Sequence, residues 1–297
     1  MISDNPTKTR GIEKRWRADI NRRYRLFYKR VIKALRDLDQ TGLIVNAFDL
    51  DPVQLRVYIA YFQQQIDELL GGDWQDAYQL SAYELAITRA MAELRRSGAR
   101  LDITASDREL ASRISSFTAT SSLGISAVDI ASAPIHQETL EFLFSRSFNS
   151  LAGFNNTMSN QVRNLLFQGV EQGSGIRQIE RQIKDRVNVA RSRARLIAQT
   201  ETIQAYQRGT INQALLASQQ LGEEVKLRWL TRRDIKVRAL HVDFHGEIMT
   251  DKQARRNISI SPYNCRCGLS VIIKESDTPE KTEKFKTEQK ELRSLTP

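Results

Sequence analysis

Trp16, Ile20, Tyr24, Phe27, Val31 and Leu35 recur at spacings of four, four, three, four and four. Side chains so spaced share one face of an α-helix. The pattern predicts a helix over residues 8–36, about 44 Å long at 1.5 Å per residue. Leu55, Tyr58, Ile59, Phe62, Ile66 and Leu70 repeat at helical spacing and stop at Gly71-Gly72. A second run reaches from Asp73 to Ser97 and stops at Gly98. The two read as an αα-hairpin. The link before them, residues 41–52, is apolar between Gly42 and Pro52 and reads as a short strand or irregular connection. Residues 114–134 are rich in Ser, Thr and Ala and mark a hinge.

Beyond the hinge the periodicity predicts helices at 135–149, 157–171 and 175–187, and a long one over 189–220. The pattern then changes. VKLRWL (225–230) alternates and reads as a strand, as do GEIM (246–249) and GLSVII (268–273), with a short helix over Thr231–Leu240 between them. The fold class expected is α+β, mostly α-helical, with a short antiparallel sheet in a C-terminal module. Four segments are expected in order: a helical arm at 1–40, a helical hairpin region with its hinge at 41–134, the module at 135–273, and a charged tail at 274–297. The tail has six basic and six acidic residues and few apolar ones, so disorder or a solvated helix is expected.

Charge changes the picture most for the first helix. Residues 8–36 contain twelve Lys or Arg and two acids, which equals the net charge of +10 of the whole chain. Lys14, Arg15, Arg17, Arg22, Arg23, Arg25, Lys29, Arg30 and Lys33 are candidates for contacting phosphates, without reading base sequence. The same helix also fits docking on its own protein, on an acidic partner or on a membrane surface. The 297 residues contain no run of 18 apolar positions, so no membrane span is expected. No apolar leader follows the first cations, and a reducing cytoplasm is the expected site of synthesis.

Candidate chemistry is sparse. P-loop, GxSxG and HExxH signatures are missing, and three His leave little for a triad, so no catalytic residue is assigned. His241, His245, Cys265 and Cys267 are the sulfur-and-imidazole group of the chain, and could form a Cys₂His₂ zinc site. The alternative is two small buried thiols and a hydrogen-bonded imidazole. Thr231 and Asp234 fit a capping box, with Arg238 placed to pair with Asp234. Glu201 fits an ion pair with Arg193, Arg195 or Arg208 better than a catalytic acid.

The order of these residues carries a resemblance. Ile197, Ala198, Thr200, Glu201, Ala205 and Gly209 are followed by Trp229, Thr231, Asp234, Arg238, His241 and Gly246, then by Asn264, Cys265, Arg266 and Cys267. Over residues 155–273 this resembles the minor head proteins of tailed bacteriophages, the phage Mu F and SPP1 head-morphogenesis kind. His245 stands where that family often has Asp, and Pro262-Tyr263 where it often has His-Pro. The resemblance implies a non-enzymatic virion protein made in the host cytoplasm. It would be attached to the portal protein in the capsid interior or at the portal vertex, with packaged double-stranded DNA, scaffold or major capsid protein as further partners. It would take part in head assembly and in DNA packaging or ejection. Thr200, Glu201, Trp229, Thr231, Asp234, Arg238, His241, Gly246, Cys265, Arg266 and Cys267 would hold the module together, with no obligatory cofactor. A zinc-dependent nuclease and a free, sequence-nonspecific DNA-binding protein are the alternatives.

Overall fold

The computed structural model describes residues 6–38, 52–99, 134–172, 174, 176–232, 234, 236–260, 263–273 and 279–295. The expected link at 41–51 and hinge at 114–133 lie outside them. The helices are α1 (Arg10–Leu38), α2 (Pro52–Leu69), α3 (Asp76–Arg96), α4 (Pro134–Glu171), α5 (Ile176–Leu221), α6 (Ala239–Asp243), α7 (Asp251–Ile260) and α8 (Pro279–Leu295). The strands are β1 (Lys226–Leu230), β2 (Ile248–Met249) and β3 (Gly268–Ile272). The fold is α+β and mostly helical, as the periodicity predicts.

The chain forms two compact units, each discontinuous in sequence. The helical unit is residues 14–75 and 144–198; the mixed unit is 1–13, 76–143 and 199–297. The pair read as one αα-hairpin is divided between them, α2 to the helical unit and α3 to the mixed unit.

In the helical unit the apolar stripe of α1 is core. Trp16, Ile20, Phe27, Val31 and Leu35 are 0% exposed and Tyr24 is 3% exposed. Phe27 meets Phe62 of α2 edge to face at 5.1 Å, a favoured aromatic geometry. Two tyrosines of this core are paired. Tyr58 donates to the Val31 carbonyl at 3.0 Å, and Tyr24 donates to Asn155 of α4 at 3.0 Å. The first element is therefore not an arm but a docked helix.

Two long helices replace four expected ones. Residues 135–149 and 157–171 belong to one 38-residue helix, and 175–187 and 189–220 to one of 46 residues. The apolar spacing drifts near Gly153 and Asn188, which suggests ends. Packing against other elements overrides so weak a local signal. Buried Leu151, Met158 and Val162 carry the α4 stripe across the interval.

In the mixed unit the sheet has the order β2-β1-β3 and is antiparallel throughout. The register sets Trp229 opposite Leu269 and Leu227 opposite Val271, so one face is apolar and buried. Val271 donates its N–H to Glu93 of α3 at 3.0 Å, which occupies an outer hydrogen-bonding site of β3. At Gly209 an added Cβ would lie 2.9 Å from both the Ala86 Cβ and the Tyr83 carbonyl oxygen, so α3 and α5 approach closely there. A buried polar network sits beside this contact. Asn212 donates to the Tyr83 oxygen at 2.7 Å and to Thr139 at 2.8 Å, and accepts from Arg255 of α7 at 2.7 Å. The Tyr83 oxygen also shares a hydrogen bond with His136 Nδ1, 2.7 Å away.

Two outcomes are expected. Phe27→Ala should lower unfolding stability by about 3–5 kcal/mol, while Lys29→Ala on the exposed side should change it by less than about 0.5 kcal/mol in urea titrations. Burial lowers the His136 pKa to about 4. As pH falls below the ordinary value near 6.5, the unfolded chain binds a proton there that the folded chain refuses. Stability should therefore fall between those two pH values, by on the order of 3 kcal/mol, and then level off. The pH profile of a His136→Gln variant should lack that decline; parallel profiles would rule out a buried neutral His136.

Candidate functional site

The motif residues converge on the C-terminal strands and the end of α5. Trp229 on β1 is 0% exposed and is met edge-on by His241 at 5.6 Å and Phe244 at 5.5 Å. The β1–β2 connection closes around it: Gly246 donates to the Trp229 carbonyl at 2.8 Å and Trp229 donates to that of Glu247 at 3.0 Å. The Asn264–Cys267 segment is held by α5. Asn264 has a left-handed φ of 55°. It gives its N–H to the Thr200 hydroxyl at 3.0 Å and accepts from Gln199 at 2.7 Å. Gln207 donates to the Cys267 carbonyl at 2.8 Å. Sequence reasoning does not single out Gln199 or Gln207 as anchors, because lone amides carry no spacing signal, whereas Asn264 stands in the motif that carries the family resemblance.

In Cys-Arg-Cys, alternate side chains turn to opposite sides. Arg266 forms a two-pronged pair with Asp234, its Nη2 lying 2.6 Å from Oδ1. Both thiols turn inward to His241, whose Nδ1 lies 3.6 Å from Cys265 Sγ and 3.4 Å from Cys267 Sγ. His241, Cys265 and Cys267 are 2%, 6% and 3% exposed. The two thiols do not ionise alike. A hydrogen bond from Cys267 pulls Cys265 down against burial, with His241 helping, whereas the Cys265 partner and burial push Cys267 up. Burial raises the Asp234 carboxyl, but Arg266 and the Lys236 N–H outweigh it, so its pKa lies below the usual range.

Several expectations are corrected. Thr231 caps no helix. Its hydroxyl donates to the His241 carbonyl at 2.8 Å, its N–H donates to His245 Nδ1 at 3.0 Å, and the helix forms later, at Ala239–Asp243. Asp234 pairs with Arg266 and Arg232, while Arg238 donates to the Tyr263 carbonyl at 2.6 Å. The reason is long-range: Cys-Arg-Cys delivers a guanidinium that outcompetes the local i,i+4 partner. His245 is outside the thiol cluster. Since its Nδ1 accepts from Thr231, Nε2 carries the proton and donates to Glu288 at 3.0 Å. Glu201 is buried on α5 and is not without a partner, so its expected ion pair is not overturned.

That Glu288 belongs to the charged tail. Residues 279–295 form α8, which is docked rather than solvated. Leu292, 2% exposed, joins Val237 and Val242 in a small core. Gln289 donates to the carbonyls of Asp243 and His245, and Arg293 pairs with Asp243 at 2.9 Å. Phe285 lies against His245 and beneath Arg228. Phe285 and Leu292 are seven apart, with Glu288 and Gln289 between them on the same helical face. That spacing is the signal the sequence offers for docking.

Of the α1 cations, some serve the fold. Arg23 donates to the Leu69 carbonyl and lies 4.2 Å over Trp74. Arg30 binds Gln65 and Glu68, and Arg22 pairs with Asp19. Arg17 is half-buried. Lys14, Arg15, Arg25, Lys29 and Lys33 are exposed. At 3.6 residues per turn they share a sector of about 100°, opposite the buried stripe.

Residues 160–270 match the family described as phage Mu protein F like protein, which supports a phage head-morphogenesis family for this chain. The match runs from within α4 to β3 and so contains the whole thiol–imidazole cluster. It leaves α1, α2, α3 and α8 outside. No curated protein and no solved structure matches the chain. Among the described residues no helix is long and apolar enough to cross a membrane.

Gly246 tests the docking of α8. It has φ +84°, and a Cβ there would lie 2.6 Å from both Cβ and Cγ of Phe285. Gly246→Ala should destabilise the protein by roughly 2 kcal/mol. It should also speed trypsin cleavage at Lys284, Lys286 and Lys290. An unchanged cleavage rate at those lysines would show that α8 does not depend on this contact.

Proposed function

We propose that this protein is a minor capsid component that docks on the portal inside the head and lays the cationic face of α1 against packaged double-stranded DNA. The observation that carries the reading is the phage Mu F-like match over residues 160–270. The exposed row of Lys14, Arg15, Arg25, Lys29 and Lys33 supports the second half of it. These cations can replace counterions on phosphates while the apolar face of the same helix stays in the core. The role proposed is non-enzymatic, in head assembly and DNA packaging or ejection. The buried thiol–imidazole cluster suits stapling better than attack on a phosphodiester, which would need a path to the reacting atoms.

Two measurements test this. Co-expressed with the portal protein of the same phage, the chain should co-sediment with portal rings at moderate and high salt. A folded chain that stays apart from the rings at both salts would refute docking. Binding to random-sequence duplex DNA should weaken with salt. Replacing Lys14, Arg15, Arg25, Lys29 and Lys33 with Gln should flatten the log–log slope by about 0.9 for each phosphate that is no longer neutralised. An unchanged slope would take α1 away from DNA, and metal-dependent cleavage of the duplex would favour a nuclease.

A further inference from the structure

The thiol–imidazole cluster has the dimensions of a metal site. With Zn–N near 2.0–2.1 Å and Zn–S near 2.3 Å, a tetrahedral ion holds its nitrogen and sulfur ligands about 3.6 Å apart. His241 Nδ1 lies 3.6 Å from Cys265 Sγ and 3.4 Å from Cys267 Sγ, and the three donor atoms all lie within 4.8 Å of one another. We propose that His241, Cys265 and Cys267 bind one zinc ion through Nδ1 and two thiolates, with water as the fourth ligand, and that the ion staples the C-terminal module.

Four observations carry this. The donors are one imidazole nitrogen and two sulfurs with no carboxylate among them, a set that selects zinc over magnesium or calcium. The Cys265 sulfur is arranged for negative charge: the Cys267 N–H points at Cys265 Sγ from 3.5 Å, and Gln207 Nε2 stands 4.0 Å from the same atom. The ligands are also fixed from outside. Thr231 Oγ1 holds the His241 carbonyl, Gln207 holds the Cys267 carbonyl, and Arg266 is tied to Asp234 between the two thiols. Supports of this kind orient the ligands of metal sites. Finally, Gln207 Oε1 is buried without a hydrogen-bond partner, leaving an acceptor for a metal-bound water.

The ion would join two stretches distant in sequence, α6 after β1 and the segment entering β3. A disulfide between Cys265 and Cys267 would tie neighbours two residues apart and join nothing else. The inference rests on this geometry alone and stands whether or not the chain meets a portal.

The test uses the full chain purified under reducing conditions with zinc supplied, then freed of loose metal by gel filtration. Elemental analysis should find one zinc per chain. Cobalt substituted for zinc should give the visible bands of a tetrahedral site and thiolate-to-cobalt charge transfer with the intensity of two sulfurs. His245→Gln, which alters the His outside the cluster, should keep one equivalent. The double variant Cys265→Ser, Cys267→Ser should bind at least a hundredfold more weakly. A folded wild-type chain without bound zinc and without thiolate-to-cobalt bands would overturn the site. So would equal retention by the double variant. Should the double variant fail to fold, the cobalt spectrum of the wild-type chain decides by itself.

Discussion

The mixed unit depends on a stretch of α5 that is buried on all sides and largely polar. Gln199, Thr200, Thr202, Gln204, Gln207, Thr210, Asn212 and Gln213 of α5 are each 0–8% exposed. Amides and hydroxyls out of water cost stability unless each finds a partner in good geometry. Here the partners come from different parts of the chain. Asn264 answers Gln199 and Thr200, the Cys267 carbonyl answers Gln207, and Tyr83, Thr139 and Arg255 meet at Asn212. Apolar packing tolerates slippage between surfaces, whereas a hydrogen bond between named atoms does not. These polar side chains, pointing in several directions from α5, therefore set the register in which α3, α7 and the approach to β3 dock on it, and the thiols reach His241 through that register.

This buried polar stretch explains what is and is not legible in sequence. Apolar periodicity marks α1, α2 and α3 and the three strands well, because there the buried side chains are the apolar ones. It cannot mark the second half of α5 as core, since Gln and Asn look solvent-exposed by composition. The same limit hides the docking of α8. Its inward contacts are half-buried Phe285 and buried Glu288 and Leu292, a short stripe within a segment whose charges suggest disorder. Local rules fail at Thr231 and Asp234 for a related reason: the capping box is a good local solution, but His241, His245 and Arg266 offer stronger partners that are distant in sequence. The ordered motif from Thr200 to Cys267 is legible because its residues are functional to the fold as a set. What the spacing cannot say is which two of His241, His245 and Arg238 turn away from the sulfurs.

The helical unit poses the opposite case, in which charge decides the surface. Committing Trp16 through Leu35 of α1 to the core leaves the helix one direction in which to send its cations. Arg23 and Arg30 are used up in contacts with Trp74, Gln65 and Glu68, which fix α1 to its neighbours. What remains is a narrow row, all of one sign, on a helix held rigid by its own core. Such a row attracts a polyanion without reading its sequence, as a protein beside packaged DNA requires. The phage Mu F-like region, residues 160–270, and this row on α1 are separate pieces of chain.

The most direct measurement is a lysine footprint of the intact protein, comparing acetylation rates with and without duplex DNA at low and high salt. Lys14, Lys29 and Lys33 are expected to be protected by DNA at low salt and released at high salt, with Lys252 on α7 acetylated equally throughout. Equal protection of all four lysines, or none at Lys14, Lys29 and Lys33, would contradict the assignment of the α1 face to DNA.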